Sequence, residues 1–246
     1  MGVARALSVG GLLFALVCAF AAVFAGLGTR WEWWHFRTGF QILTWAAYGG
    51  LTASVASLAG LVAGLAANLR RVWLPACVGM VLGAIVAGFP WQLKQTAATV
   101  PPIHDISTDT EHPPVFVAVL PLRKNAPNSV EYGGPEVAAQ QHAAYTDLKP
   151  LFLPLSPEEA FNNALAAARD MGWDIVDTNP VQGRIEATDT TFWFGFKDDI
   201  VVRVKPADQG SRLDVRSVSR VGKSDIGTNV KRIRSYIARI SRSKEG

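Results

Sequence analysis

The chain has 246 residues, 49% of them hydrophobic, with a positive mean hydropathy and a net charge of +4. That composition excludes a single ordinary soluble domain and makes a membrane part the first thing to test. Both cysteines, Cys18 and Cys77, fall in apolar stretches and read as small apolar filler, so the polar remainder has no disulfide framework.

No Asp, Glu, Lys or Arg occurs from Ala6 to Thr29, from Thr38 to Leu69, or from Val72 to Leu93. Each window supplies the roughly 20 apolar residues that a bilayer helix needs, so residues 1–93 are expected to form three transmembrane helices. The first apolar run continues through Ala25, longer than a secretory core, and reads as a retained helix rather than a cleaved signal peptide. Within the spans, Gly60-Leu-Val-Ala-Gly64 and Gly79-Met-Val-Leu-Gly83 have the small-xxx-small spacing that lets helix backbones approach. No ionisable side chain interrupts the windows, which argues against a proton relay or a charged-substrate pathway.

Arg5 and the Arg70-Arg71 pair fall on one side of these spans; Arg30, Glu32 and Arg37 fall on the other. An uninterrupted arginine pair in a tight loop is hard to translocate. A multi-pass inner-membrane protein is expected, with a cytoplasmic N-terminus and a periplasmic C-terminal domain. Trp31, Trp33, Trp34 and His35 read as an interfacial belt.

Residues 94–114 change to Thr, Pro, Asp and His and are expected to be an extended, Pro-rich connector. Its imidazoles and carboxylates match no metal template, and Asp and Ser in such a stretch more often close local turns. The α+β domain is expected over residues 115–246. Val115 to Leu120 reads as a short extended run before Pro121, and Glu136 to Tyr145 as a short helix. Ser156-Pro157-Glu158-Glu159 is a helix start with a capping Ser, Pro at the first helical position and a Glu that can reach back. That helix is expected to run to about Met171 and end at Gly172.

Four antiparallel strands are expected to follow, from Trp173, over Arg184 to Phe194, over Ile200 to Lys205 and over Arg212 to Val218, with a closing amphipathic helix from Thr228 to Ser241. The predicted module is therefore αββββα. Alternation puts Leu213 and Val215 on one face, with Ile200, Val202 and Val204, to receive the helices. The opposite face carries Arg184, Glu186, Arg203 and Arg216, as cross-strand charge pairs on a wet face or as an anion-binding surface. Alternation cannot bury all the rings of Phe192-Trp-Phe-Gly-Phe196 on one face, so at least one should contact the connector, the membrane surface or a partner.

Ile103-His-Asp-Ile-Ser-Thr-Asp109 with Pro113-Pro114, Phe194-Gly-Phe-Lys-Asp-Asp-Ile-Val-Val-Arg-Val204, and Asp214-Val-Arg-Ser-Val-Ser-Arg-Val-Gly-Lys-Ser-Asp225 with Asn229 and Arg232-Ile233 resemble the bacterial domain of unknown function 1499 family. The resemblance spans roughly Ile103 to Ile240. It implies an envelope protein, often membrane-attached, and supplies no catalytic residues.

The reading that follows is a non-catalytic, membrane-anchored envelope protein that presents the αββββα domain to a protein partner or a membrane complex. The alternative is binding of lipid or an anionic ligand between sheet and connector, with Arg203, Arg216, Arg220 and Arg232 as donors. The interaction or ligand candidates are Phe192, Trp193, Phe194, Phe196, Arg203, Arg216, Arg220, Asp225, Asn229 and Arg232, with His104, Asp105, Ser107 and Asp109 in the connector. A hydrolase using Ser107, His104 and Asp105 ranks last, because no Gly-x-Ser-x-Gly elbow occurs. No catalytic, metal or cofactor site is expected. The partners expected are membrane lipids and an envelope protein, not nucleic acid, despite the basic balance.

Overall fold

The computed structural model describes residues 2–242 and divides into two compact units. The first comprises the N-terminal helices through Thr96 together with Phe192–Gly195. The second comprises Ala97–Thr191 and the chain from Phe196 onward.

The helical unit is built from α1 (Gly2–Arg30), α2 (Phe36–Ala66) and α3 (Trp73–Thr99), each long and apolar enough to cross a membrane. Its packing inverts that of a soluble bundle. The buried positions of α2 are Gly39, Leu43, Ala46, Gly50, Ala53, Ser57, Gly60 and Gly64, alternating three and four residues apart. This 3.5-residue period is that of a left-handed seam, filled here with small side chains. Large apolar side chains such as Phe20, Trp45, Leu51 and Ile85 point outward. Close approach depends on the missing Cβ atoms. One added at Gly60 would lie 2.6 Å from the Ser8 nitrogen, and one at Gly79 would lie 2.9 Å from the Leu12 Cα. Both glycine pairs singled out in the sequence therefore lie at helix contacts.

The second unit contains β1 (Asp105–Ser107), α4 (Gly134–Ala144), β2 (Leu151–Leu153), α5 (Pro157–Asp170), β3 (Asp174–Asn179), β4 (Arg184–Thr190), β5 (Lys197–Ala207), β6 (Gly210–Ser219) and α6 (Thr228–Arg242). Among the described residues the antiparallel sheet has six strands, not the expected four. Its order is β1-β6-β5-β4-β3, with β2 also on β6. The added strands are three residues each and lie along the same side of β6, β1 opposite Arg216–Val218 and β2 opposite Ser211–Leu213. β1 comes from the segment expected to be an extended, Pro-rich connector. Gln141 sits beside this edge, its side chain accepting from the Ser107 amide at 2.9 Å and donating to the Ser107 carbonyl at 2.7 Å.

The helix start is as the sequence requires: Ser156 Oγ accepts from the Glu159 amide, the Glu159 carboxylate accepts from the Ser156 amide, and Gly172 beyond the helix end has φ +74°. α5 and α6 cover one face of the sheet. Ala160, Phe161 and Ala164 of α5 and Val230, Ile233, Tyr236 and Ile240 of α6 join Ile185, Ile200, Val202, Leu213 and Val215 in one core. Tyr236 is fully buried, donates to the Ala164 carbonyl at 2.7 Å, and stacks on Trp173 with centroids 4.8 Å apart. The basic residues of α6 thus ride on a helix whose apolar stripe belongs to the core.

Candidate interaction surface

The sheet face away from α5 and α6 is not wet. Residues 112–123 cross it as a strap that is irregular through Val119 and closes in a 3-10 turn at Leu120–Arg123, and Phe116 and Val119 pack beneath the strap against Val201 and Val218. An irregular segment laid over a sheet has no ladder to satisfy its peptide groups, and unpaired buried ones are costly. The charged residues of the sheet do this work. Glu186, fully buried, accepts from the amides of Val117 at 2.9 Å and Val119 at 3.0 Å. Arg203 donates to the His112 carbonyl at 2.9 Å, Arg216 to the Pro114 carbonyl at 3.0 Å, and Arg220 to the Leu122 carbonyl at 3.2 Å. At the end of the strap Arg123 turns inward onto Asp199 at 2.5 Å.

These arginines are at the same time anchored to carboxylates. Arg216 makes a bidentate pair with Asp105 at 2.9 and 2.7 Å, between the rings of Phe116 and Tyr132. Burial pushes the Asp105 carboxyl up, against the pull of Arg216. Burial and the neighbouring Asp105 push Tyr132 up to about 12. Asp199 receives Arg220 in bidentate fashion, together with Arg123 and Thr188. Burial opposes its ionisation, but the bonds from Arg220, Thr188 and Arg123 hold it below the ordinary carboxylate range. Asp109 behaves alike: burial works against the charge, and the His112 amide, Arg212 and Arg203 outweigh it.

The predicted site residues therefore fall into separate groups. Asp105, Asp109, Arg203, Arg216 and Arg220 hold the strap to the sheet, so the donors assigned to an anionic ligand are already engaged within the fold. On the helix-covered face, Arg232 pairs with Asp198 at 2.6 Å and Asp189 at 2.8 Å. Asn229 donates to the His104 carbonyl and to Ser219 Oγ, both at 3.0 Å. Asp225 accepts from the Asn229 amide at the start of α6, and burial pushes its carboxyl up. Ser107 Oγ donates to the Asp109 carbonyl at 2.8 Å, not to an imidazole.

The rings of residues 192–196 part company. The expected strand to Phe194 ends at Thr190, and residues 192–195 belong to the helical unit. There Trp193 Nε1 donates to the Val23 carbonyl at 3.0 Å, and its indole fills space left by Gly26. The Phe194 ring lies 5.0 Å from that of Phe40, and the Arg30 guanidinium donates to the Phe192 carbonyl at 3.0 Å while the Phe192 side chain is exposed. Phe196, in the second unit, exchanges backbone and side-chain bonds with Thr191.

What sequence reasoning missed is the outer side of the strap. Val115, Val117, Leu120 and Leu122 are 44–69% exposed, although Phe116 and Val119 between them are buried. Pro113-Pro114 precede this run and Pro121 interrupts it, and prolines at these positions disfavour a ladder strand.

The model of the family described as protein of unknown function (DUF1499) matches residues 105–240, more than half of the chain. The chain belongs to this family, and the match begins at Asp105, the partner of Arg216, and ends at Ile240 in the last core turn of α6. No curated protein and no solved structure matches the chain.

Proposed function

We propose that this is a non-catalytic envelope protein, held in the bacterial inner membrane by α1, α2 and α3, whose α+β unit binds a protein partner through the strap. Insertion is supported by the inverted packing, with small residues inside and large apolar ones outside, which suits lipid and not water. The single observation that carries the binding role is the row of Val115, Val117, Leu120 and Leu122 turned outward on a backbone fixed by buried charges. Contiguous exposed apolar side chains mark interaction sites, and a rigid presentation lowers the ordering cost of binding. The periplasmic placement of the α+β unit follows from the Arg70-Arg71 loop being retained in the cytoplasm.

The test is photo-crosslinking in intact membranes from probes at Val117 and Leu122, with Val181, almost wholly exposed in the β3–β4 turn, as the off-site control. A discrete protein adduct from both strap positions, absent at Val181 and abolished by Val115→Asp with Leu120→Asp, is the expected result. Adducts to lipid alone, or equal adducts from all three probes, would overturn the reading.

A further inference from the structure

We infer that a recess at the end of the helical unit, bounded by Arg5, Arg70 and Arg71, binds a phosphate ester of net negative charge. The inference rests on the reading that the three helices are inserted in a membrane. The recess has a volume of about 810 Å³ and is lined by the first turns of α1, through Gly2, Arg5 and Val9, and by the α2–α3 loop from Asn68 to Val72. All three arginines are exposed, and none has a carboxylate partner among the described residues. The sequence explains why: Glu32 is the sole acidic residue before Asp105. The recess also lies where α1 and α3 begin and α2 ends, so two helix N-termini, with no acidic side chain in their first turns, are set against one C-terminus.

The loop is held in shape rather than loosely tethered. Asn68 adopts φ 51°, the Leu69 amide donates to the Gly64 carbonyl at 2.8 Å, and the Val72 amide donates to the Leu69 carbonyl at 3.1 Å. Buried Val72 packs where Gly64 has no side chain, which pins the single 3-10 turn carrying Arg70 and Arg71 against α2. Three arginines on held backbone line this one cavity; guanidinium donors suit phosphate oxygens, and basic recesses between membrane helices suit anionic headgroups. The phosphate ester can be a phospholipid headgroup or a soluble ester; the shared chemistry is the same.

The test uses the full chain reconstituted in bilayer discs of phosphatidylcholine, alone or with phosphatidylglycerol, with bound lipid counted by native mass spectrometry. In a separate arm soluble glycerol phosphate is titrated and thermal unfolding is followed. The variant Arg5→Gln/Arg70→Gln/Arg71→Gln should lose about a hundredfold in affinity for the phosphate ester, at about fivefold per arginine. Arg37→Gln with Lys94→Gln, which removes basic residues that do not line the recess, should bind as the unaltered chain does. Arg5→Lys/Arg70→Lys/Arg71→Lys keeps the charge that guides insertion and should bind with intermediate strength, which separates recognition from misfolding. Selective retention of phosphatidylglycerol assigns the site to lipid, and a response to glycerol phosphate without lipid selectivity assigns it to a soluble ester; both support the site. Equal binding of the two lipids with no response to glycerol phosphate, or unchanged binding by the triple Gln variant, would overturn it. Extraction of the chain from membranes by alkaline carbonate would instead overturn the insertion reading.

Discussion

Arg216 in the α+β unit spends its donors on Asp105, Pro114 and Val130 and lies over two aromatic rings, whereas Arg5, Arg70 and Arg71 in the helical unit stand around a recess with no carboxylate partner among the described residues. Both units contain arginines but use them oppositely. In the sheet, cations and acids occur together and hold an irregular segment in place, so their charge is spent inside the fold. In the helices the acids are missing, so the charge remains for something outside. A high content of arginine is therefore no guide to ligand binding until the carboxylates around each one have been located.

The sharpest way to break the comparison is Arg216→Ala. It would leave Asp105 buried and unpaired, and removing one partner of a buried pair costs about 3–5 kcal/mol. The expected outcome is a large fall in the unfolding temperature of the α+β unit, read by near-ultraviolet circular dichroism, with the helical signal at that temperature retained. A strap arginine that could be removed without loss would place Arg216 in the same class as Arg70.

Glu186→Gln probes the strap itself. One of the two amides that Glu186 receives would face an amide nitrogen, and Arg184 Nε, 2.9 Å from Glu186 Oε1, would lose its carboxylate. The expected destabilisation is about 2 kcal/mol, within the range for charged hydrogen bonds. Faster hydrogen exchange at the Val117 and Val119 amides, with the β5 and β6 amides unchanged, is the local signature.

The smallest effect is in acid. Asp199 and Asp109 have depressed folded values, so their contribution is present above the unfolded carboxyl value of about 3.9 and is lost as pH falls through the lower folded value. Asp105 and Asp225 are shifted the other way and partly offset this, since their stabilisation is present at low pH and declines as pH rises through their raised values. Asp199→Asn should therefore flatten the loss of melting temperature below about pH 4 while lowering the neutral value. An identical pH profile in the variant would remove Asp199 from the strap's electrostatics.

The parts of the fold legible in the sequence were those whose pattern repeats: three charge-free windows, the capping box at Ser156, and the alternation that puts Ile200 and Val202 opposite Val201 and Arg203. Six strands were not legible because Asp105–Ser107 and Leu151–Leu153 are too short to show a period. They become strands only because β6 offers an open edge. The wet face was expected because alternation reports which side chains point together, not what lies over them. Charged residues there resemble a solvated ladder whether water or a strap covers them. The aromatic run gave a real clue, since Trp193 and Phe194 do leave the sheet, but nothing in those residues identifies Gly26 or Phe40 as the surface that receives them.

The pairing of Asp105 with Arg216 also orders events during synthesis. The acids Asp105 and Asp109 emerge from the ribosome well before Arg203, Arg212 and Arg216, and β1 and β2 precede the strand they border. Contacts at such separations form slowly, because the intervening loop must close first. Until β5 and β6 arrive, the strap has Glu186 but lacks Arg203 and Arg216, which donate to its carbonyls, and Val201 and Val218, which pack against Phe116. The nascent chain thus carries its exposed aliphatic row as a segment that is fully anchored only when the sheet is complete.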